Sequence, residues 1–350
     1  MSKKLFLFVL LVAVLLSLAA CAPAATPEPV VEAEEPAEAD LPTFAMVCSG
    51  SLGDSGIFDS GNEGLQKAAE DYGVTVKVLE GKDDPSLYYD LLKTAASEYD
   101  VVFVNPGYQF ANELGELAPE YPDTKFVFAD GVSDVEGANI LSVQYKENEG
   151  SYTAGVMAAM MTSQTDIEGI NEDKVLGLVG ALDIPVINNF VAGFKQGVAS
   201  VDPEVEVKVL YVGDFNDPAK GKELALSLYE QGADIVYAVA ANSGSGVYDA
   251  ACENGMYAIG VDTNKDGVCP GHIMGSMLKR VGNSFYDIVD RAVAGNLEGG
   301  VAYRYGVAEN GVGMTYSDLM LQIVPEDIVA AMREADQKIS NGEITVDEVK

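Results

Sequence analysis

The chain has 350 residues and carries 55 Asp and Glu against 21 Lys and Arg, a formal charge of −34, with one histidine, four cysteines and no tryptophan. Such an acidic field repels nucleic acid and anionic membrane surfaces, so neither is expected as a partner. With 48% hydrophobic residues the length suffices for two ordinary domains after the N-terminal segments are set aside.

Lys3 and Lys4 precede an almost wholly apolar stretch, Leu5 to Leu18, and the run ends in "SLAAC" at Cys21. A stretch this short, with small residues before a cysteine, reads as a secretory leader over residues 1–20 and not as a spanning helix. The "LAAC" ending looks like the lipobox of bacterial lipoproteins, in which the chain is cut before the cysteine and Cys21 is lipidated. Loss of Lys3 and Lys4 takes the mature chain to about −36. Membrane attachment would then come from acyl chains. Residues 21–42 follow as an acidic Pro/Ala linker without an aromatic, too polar to offset its own ordering entropy.

From there β-rich runs alternate with helical patterns. "TFAMVCS" predicts a strand and "GNEGLQKAAEDYG" a helix ending at Gly73; "VTVKVLEG" is followed by "PSLYYDLLKTAASEY"; "DVVFVNP" and "KFVFAD" are further strands. A second set runs through "VLGLVGAL", "VINNFVAGFKQGVASV", "EVKVLYVGDF", "PAKGKELALSLYEQG", "DIVYAVAA", "GVYDAACENG" and "YAIGVD". This alternation predicts an α/β fold with parallel sheets in two doubly wound lobes. The joint falls near "NILSVQYKENEGSYTAGVMAAMM", a strand running into a long helix. Lobe 1 is expected over 43–145 plus about 268–298, and lobe 2 over 146–267 plus about 299–350.

Open α/β sheets bind ligands outside the carboxyl ends of their strands. That places the candidate site in the loops Ser49 to Gly61, Asn105 to Tyr108, Asp130, Asp183 to Phe190, Asp214 to Asp217, Asn242 to Gly246 and Asp262 to Asp266. In the first of these, Ser49, Asp54 and Asp59 are candidate contacts, and Phe58 is an aromatic ring expected in a flexible strand-to-helix loop, where it can touch an incoming ligand. Tyr108 is a rim candidate. Cys252 and Cys269 flank a predicted strand and are the candidate disulfide, which an extracytoplasmic setting permits. Cys48, in an apolar run, reads as a buried free thiol. "DTNKDGVCPGHI" imitates the start of a calcium loop, but the twelfth position is Ile273 where a bidentate glutamate is required, so the stretch reads as a turn and no metal is expected. His272 has no serine elbow or Cys–His partner at a recognisable spacing, and neither HExxH nor a Walker loop occurs, so an enzyme is the disfavoured rival and no cofactor is expected.

"GLVGALDIPVINNFVAGFKQGV", "VGDFNDPAKGKELALSLYEQGADIVYAVAANSGSGVYDAACENGMYAIGVD" and "SMLKRVGNSFYDIV" resemble the basic membrane protein family, substrate-binding lipoproteins of ABC transporters related to the purine nucleoside receptor A lipoprotein. The resemblance covers roughly residues 43 to 318. It implies a type I periplasmic-binding-protein fold, two Rossmann-like lobes with a hinge, holding a nucleoside between them and delivering it to separate permease and ATPase subunits. It implies that Phe58 stacks on the base, with Phe190 or Phe215 opposite. Asp130 would pair with the base edge, and Asp262 and Lys279 would hold ribose hydroxyls, with Asn242, Ser243 and Gly244 beside them. The family commonly has an aspartate where Ser49 stands and an asparagine where Asp59 stands; an ionised aspartate accepts only, which leaves base identity open. A sugar or other small polar metabolite remains the alternative ligand, and a sensing receptor the alternative role, since this fold serves both uptake and signalling.

Overall fold

The computed structural model describes residues 41–349; the leader, Cys21 and the linker up to residue 40 lie outside them. In the first lobe, β1 (Phe44–Cys48), β2 (Val76–Glu80), β3 (Val101–Asn105), β4 (Lys125–Ala129) and β5 (Ile140–Tyr145) stand in the order β2-β1-β3-β4-β5. In the second, β6 (Val175–Gly180), β7 (Glu206–Tyr211), β8 (Ala233–Val239), β9 (Tyr257–Asp262) and β10 (Ile273–Lys279) repeat that pattern as β7-β6-β8-β9-β10. All these pairs are parallel. β1 and β3 are buried at every position, as expected of strands covered on both faces, which read as continuous apolar runs.

Helices supply the covers. In the first lobe α1 (Ile57–Tyr72) lies on one face, with α2 (Tyr88–Glu98) and α3 (Ala111–Leu117) on the other. In the second, α4 (Glu147–Met161) and α5 (Pro185–Val201) cover one face, and α6 (Pro218–Glu230) and α7 (Gly244–Asn254) the other. α8 (Val281–Val293) returns to pack on α1, and α9 (Glu326–Ser340) packs on α4. A core running through Phe44, Phe103, Phe285, Tyr145, Phe194 and Met277 joins both lobes on the α1, α8, α4 and α5 side.

Among the described residues the chain passes between the lobes three times. β5 leads into α4 at Tyr145–Glu147, and β10 leads into α8 at Lys279–Val281. The third passage joins β11 (Ala302–Tyr305), parallel beside β5, to β12 (Val312–Met314), antiparallel beside β10. The passages are bonded to one another: Lys146 N donates to the Tyr305 carbonyl (3.0 Å), and Arg280 N to that of Gly311 (2.8 Å). Both crossing helices sit against glycine. A Cβ on Gly64 of α1 would stand 2.1 Å from the Gly282 carbonyl oxygen, and one on Gly193 of α5 would stand 2.1 Å from that of Asn148. No side chain fits at either place.

Three sequence expectations change. Residues 268–298 were expected to belong together in the first lobe, yet β10 joins the second sheet, with Met277 opposite Val261, and only α8 crosses over. Conversely β11, expected in the second lobe, completes the first sheet. The crossing thus falls after Lys279 and leaves that residue at a strand end. The first helix also begins earlier than its pattern predicted, at Ile57, so Phe58 sits in its first turn and not in a loop. The cause is Asp54, whose carboxylate accepts from the amides of Gly56 (2.9 Å), Phe58 (3.1 Å) and Asp59 (3.0 Å) and satisfies donors that a helix start leaves orphaned.

Candidate functional site

Loops at the carboxyl ends of the two sheets touch each other. The Ser55 carbonyl, in the loop after β1, accepts from Thr263 Oγ1 (2.6 Å) and from the Lys265 ammonium, both in the loop after β9. The lobes are therefore in contact at the strand ends in this structure.

Lys279 lies at the end of β10 and is 3% exposed. Its ammonium pairs with Asp130, which follows β4, and with Glu147 Oε1 (3.0 Å), the first residue of α4. It also stands 5.1 Å from the ring centre of Tyr145 and 5.8 Å from that of Phe190. One cation thus ties the first lobe to two of the crossing segments. Burial works against its charge, but Asp130, Glu147 and Asp262 outweigh burial and hold the Lys279 pKa above its usual value. Glu147 is pushed up to about 7 by burial, with Lys279 opposing and Asp130 adding to the rise. Asp262 is raised as well, first by burial, against the pull of Lys279 and Lys265. Asp130 and Asp262 both hold left-handed backbone, at φ of 66° and 67°. That conformation is uncommon for a residue other than glycine, though aspartate tolerates it better than most.

The structure brings Asp130, Phe190, Asp262 and Lys279 into one neighbourhood. Tyr108 reaches its edge: the residue is 40% exposed, yet its phenol is raised first by burial and then by Asp130. Phe58 is half-buried, its ring against Gly50, at the start of α1. Other candidates serve the loops themselves. The Asp54 carboxylate is taken up by helix amides, and Asp59 accepts from the amides of Gly53 (2.7 Å) and Ser55 (2.8 Å). Ser49 is buried; its amide donates to the Asn105 carbonyl (3.1 Å) and its own carbonyl accepts from the Asp83 amide (2.8 Å). Ser243 is buried, its hydroxyl donating to the Asp214 carbonyl (2.9 Å) and accepting from the Asp217 amide (2.8 Å). Gly244 is buried at the start of α7, Asn242 is exposed, and Phe215 is half-buried, packed into the second lobe.

Sequence reasoning missed Glu147, and it placed Lys265 and Asn105 in candidate loops without giving either a role. Asn105 ends β3; its Nδ2 donates to the Ile57 carbonyl (3.3 Å), while its Oδ1 is buried without a protein partner. Glu147 lay in plain sight at the predicted joint, but nothing local links it to a lysine in a later strand.

Cys252 and Cys269 are bonded, and Cys48 is a buried free thiol raised to about 12, chiefly by burial. In the calcium-like turn, Asp266 is buried and accepts from the hydroxyls of Ser276 (2.6 Å), Thr315 (3.3 Å) and Ser317, while its amide donates to Asn264 Oδ1 (2.9 Å). No group of three side chains able to hold a metal occurs among the described residues.

A family model described as "ABC transporter substrate-binding protein PnrA-like" matches residues 41–350. The chain belongs to the Bmp family. The fold is thus that of a Bmp substrate-binding protein, a class that binds solutes without catalysis. Its members are extracytoplasmic, and among the described residues no helix is long and apolar enough to cross a membrane. The chain is 30% identical over 332 residues to the CD4+ T-cell-stimulating antigen of Listeria monocytogenes, covering 87% of this chain and 88% of that one. It is 31% identical over 257 residues to the "ABC transporter nucleoside-binding protein BmpA" of Lactococcus lactis, covering 69% of each. Among solved structures, an ABC transporter solute-binding protein from Aeropyrum pernix superposes with a TM-score of 0.76 at 25% identity, covering 88% of this chain and 94% of that one.

Proposed function

We propose that this Bmp protein is anchored outside the cell membrane through lipidated Cys21. In this reading it binds a nucleoside, a purine by preference, between its lobes and hands it to a separate permease with ATPase subunits. The observation that carries the ligand class is the charge count at the site. Two ammoniums, Lys279 and Lys265, stand among three carboxylates, those of Asp130, Glu147 and Asp262. Acid outnumbers base there, which disfavours an anionic ligand, whereas a neutral ligand rich in N–H and O–H groups meets acceptors already in place. Phe58 at the head of α1 offers a face for a flat ring, and base–aromatic stacking tolerates any base. The likeness to a relative described as nucleoside-binding supports the same choice.

Binding in this scheme closes the hinge. A ligand touching both lobes favours the closed form by its differential affinity for it. The bonded crossing segments would act as the pivot, and the Ser55 contact with Thr263 and Lys265 would close the far side.

The test is a thermal-shift screen of the mature protein against purine and pyrimidine nucleosides, free bases, nucleoside monophosphates and pentoses. A ligand that binds the folded state raises the melting temperature by mass action. The reading expects a shift with purine nucleosides and none with the monophosphates. A shift with pentoses alone would overturn the nucleoside assignment and favour a sugar.

A further inference from the structure

We propose that the site takes nucleosides extended at the 5′ carbon of the sugar by a neutral polar group, a carboxamide for example, and that the extension lies in a cavity between α1, α8 and the loop after β9. The ligand class rests on the nucleoside reading above; the cavity does not.

The cavity has a volume of about 590 Å³. Small-ligand sites run from about 300 to 1,000 Å³, so it is large enough to hold a ligand group. Its inner end is formed by Asp262 and Lys279, the pair that the resemblance gives to the ribose, while Phe58 and Asp130, given to the base, do not line it. From there it passes Ser60 and Thr263 and reaches Glu63, Asn264 and Asn283, which are exposed. Gly64 and Gly282 belong to the lining and have no side chain to fill it. A path thus leads from the sugar end to solvent, and it stays open while the Ser55 carbonyl holds Thr263 and Lys265 across the lobes. In a nucleoside whose base stacks on Phe58, the exocyclic 5′ carbon is the sugar group that leads away from the base.

The lining sets the chemistry of the extension. Asn264 spends its Oδ1 on the Asp266 amide (2.9 Å), and Asn283 spends its Nδ2 on the Asn310 carbonyl (3.0 Å). That leaves N–H donors on Asn264, in the second lobe, and an acceptor oxygen on Asn283, in α8. A carboxamide offers the matching acceptor and donor. The cations there are committed elsewhere: Lys67 pairs with Asp71, Lys279 with Asp130 and Glu147, and the Arg280 guanidinium packs against Gly313 of β12, which is not part of the lining. Glu63 has no ion pair or side-chain hydrogen bond among the described residues. An anionic extension would meet that carboxylate and the acidic field of the whole protein.

The test titrates the mature protein by calorimetry with adenosine, its 5′-N-ethylcarboxamide and its 5′-carboxylate. The carboxamide should bind at least as tightly as adenosine, and the carboxylate at least about tenfold more weakly than the carboxamide. Glu63→Trp places a large ring in the cavity at an exposed position; it should weaken the carboxamide at least about tenfold and leave adenosine and the melting temperature as in the parent. Glu63→Leu, a smaller plug, should weaken the carboxamide less. A parent that binds adenosine but not the carboxamide overturns the proposal, as does a carboxylate bound as tightly as the carboxamide, or a Glu63→Trp protein that binds the carboxamide like the parent. If pentoses bind and adenosine does not, the nucleoside reading falls, and the parent and Glu63→Trp are compared on a pentose and its disaccharide. A loss confined to the disaccharide then keeps the cavity as a subsite, and no such loss overturns it. A parent that binds none of these ligands overturns both readings.

Discussion

Asp130 and Asp262 occupy equivalent places in the two lobes. Each stands at the carboxyl end of the fourth strand across its sheet, Asp130 just after β4 and Asp262 as the last residue of β9, and each holds the same left-handed backbone. Their surroundings differ. Asp130 pairs directly with the Lys279 ammonium, whereas Asp262 has no side-chain hydrogen bond or ion pair among the described residues and feels Lys279 and Lys265 only through space. The first-lobe acid is satisfied before a ligand arrives, and the second-lobe acid is an acceptor still to be used. Near-symmetric backbone has been given unequal chemistry by the placement of one lysine.

The largest expected effect comes from removing that lysine. Lys279→Met leaves Asp130 and Glu147 buried without a counter-ion, and breaking a buried pair in this way costs about 3–5 kcal/mol. The urea midpoint should fall accordingly, and adding Glu147→Gln should recover part of the loss. Next come the two acids. Asp262→Asn should leave the free protein as stable as the parent or more so, because the ionised group is held above its usual pKa by burial. Asp130→Asn should destabilise it. Both should weaken nucleoside binding, by about 1.5–3 kcal/mol for a hydrogen bond to a charged group. Calorimetry and urea titration on the pair of variants separate the two acids; equal effects on stability would break the comparison.

Phe58→Ala then sharpens it from the first-lobe side. Loss of stacking should weaken nucleoside binding by about 1–3 kcal/mol with the fold intact. The smallest effect is a pH slope. Glu147 is raised from 4.5 to about 7, so the folded state holds that proton more tightly than the unfolded chain. Its contribution is greatest below pH 4.5 and is lost as the pH climbs through about 7. Parent stability should fall over that window more steeply than that of Glu147→Gln, as read from urea midpoints at each pH.

Much of this was legible in the sequence. Apolar runs such as "FAMVC" and "VVFVN", set between glycine- and aspartate-rich loops, marked buried parallel strands, and the strand-end rule then pointed to Asp130 and Asp262. Lys279 came only from the family resemblance, because next to Arg280 it has the look of a solvated basic pair. Its partner Asp130 is 149 residues away, a distance over which no local pattern operates. Glu147 was missed for the same reason. Asp54 and Asp59 have the residue type of a ligand contact, but a local demand came first: the opening amides of α1 and its loop needed acceptors. The exchange of β10 and β11 between lobes was hidden too, since either strand could extend either sheet by composition alone.

In the proposed function a nucleoside bridges the two lobes at Asp130, Lys279 and Asp262. The most direct measurement is small-angle scattering of the mature protein with and without saturating guanosine, on samples whose binding has been verified by calorimetry. The account predicts a smaller radius of gyration with guanosine, and no such change for Asp262→Asn at the same guanosine concentration. A parent that binds guanosine without compaction would contradict it.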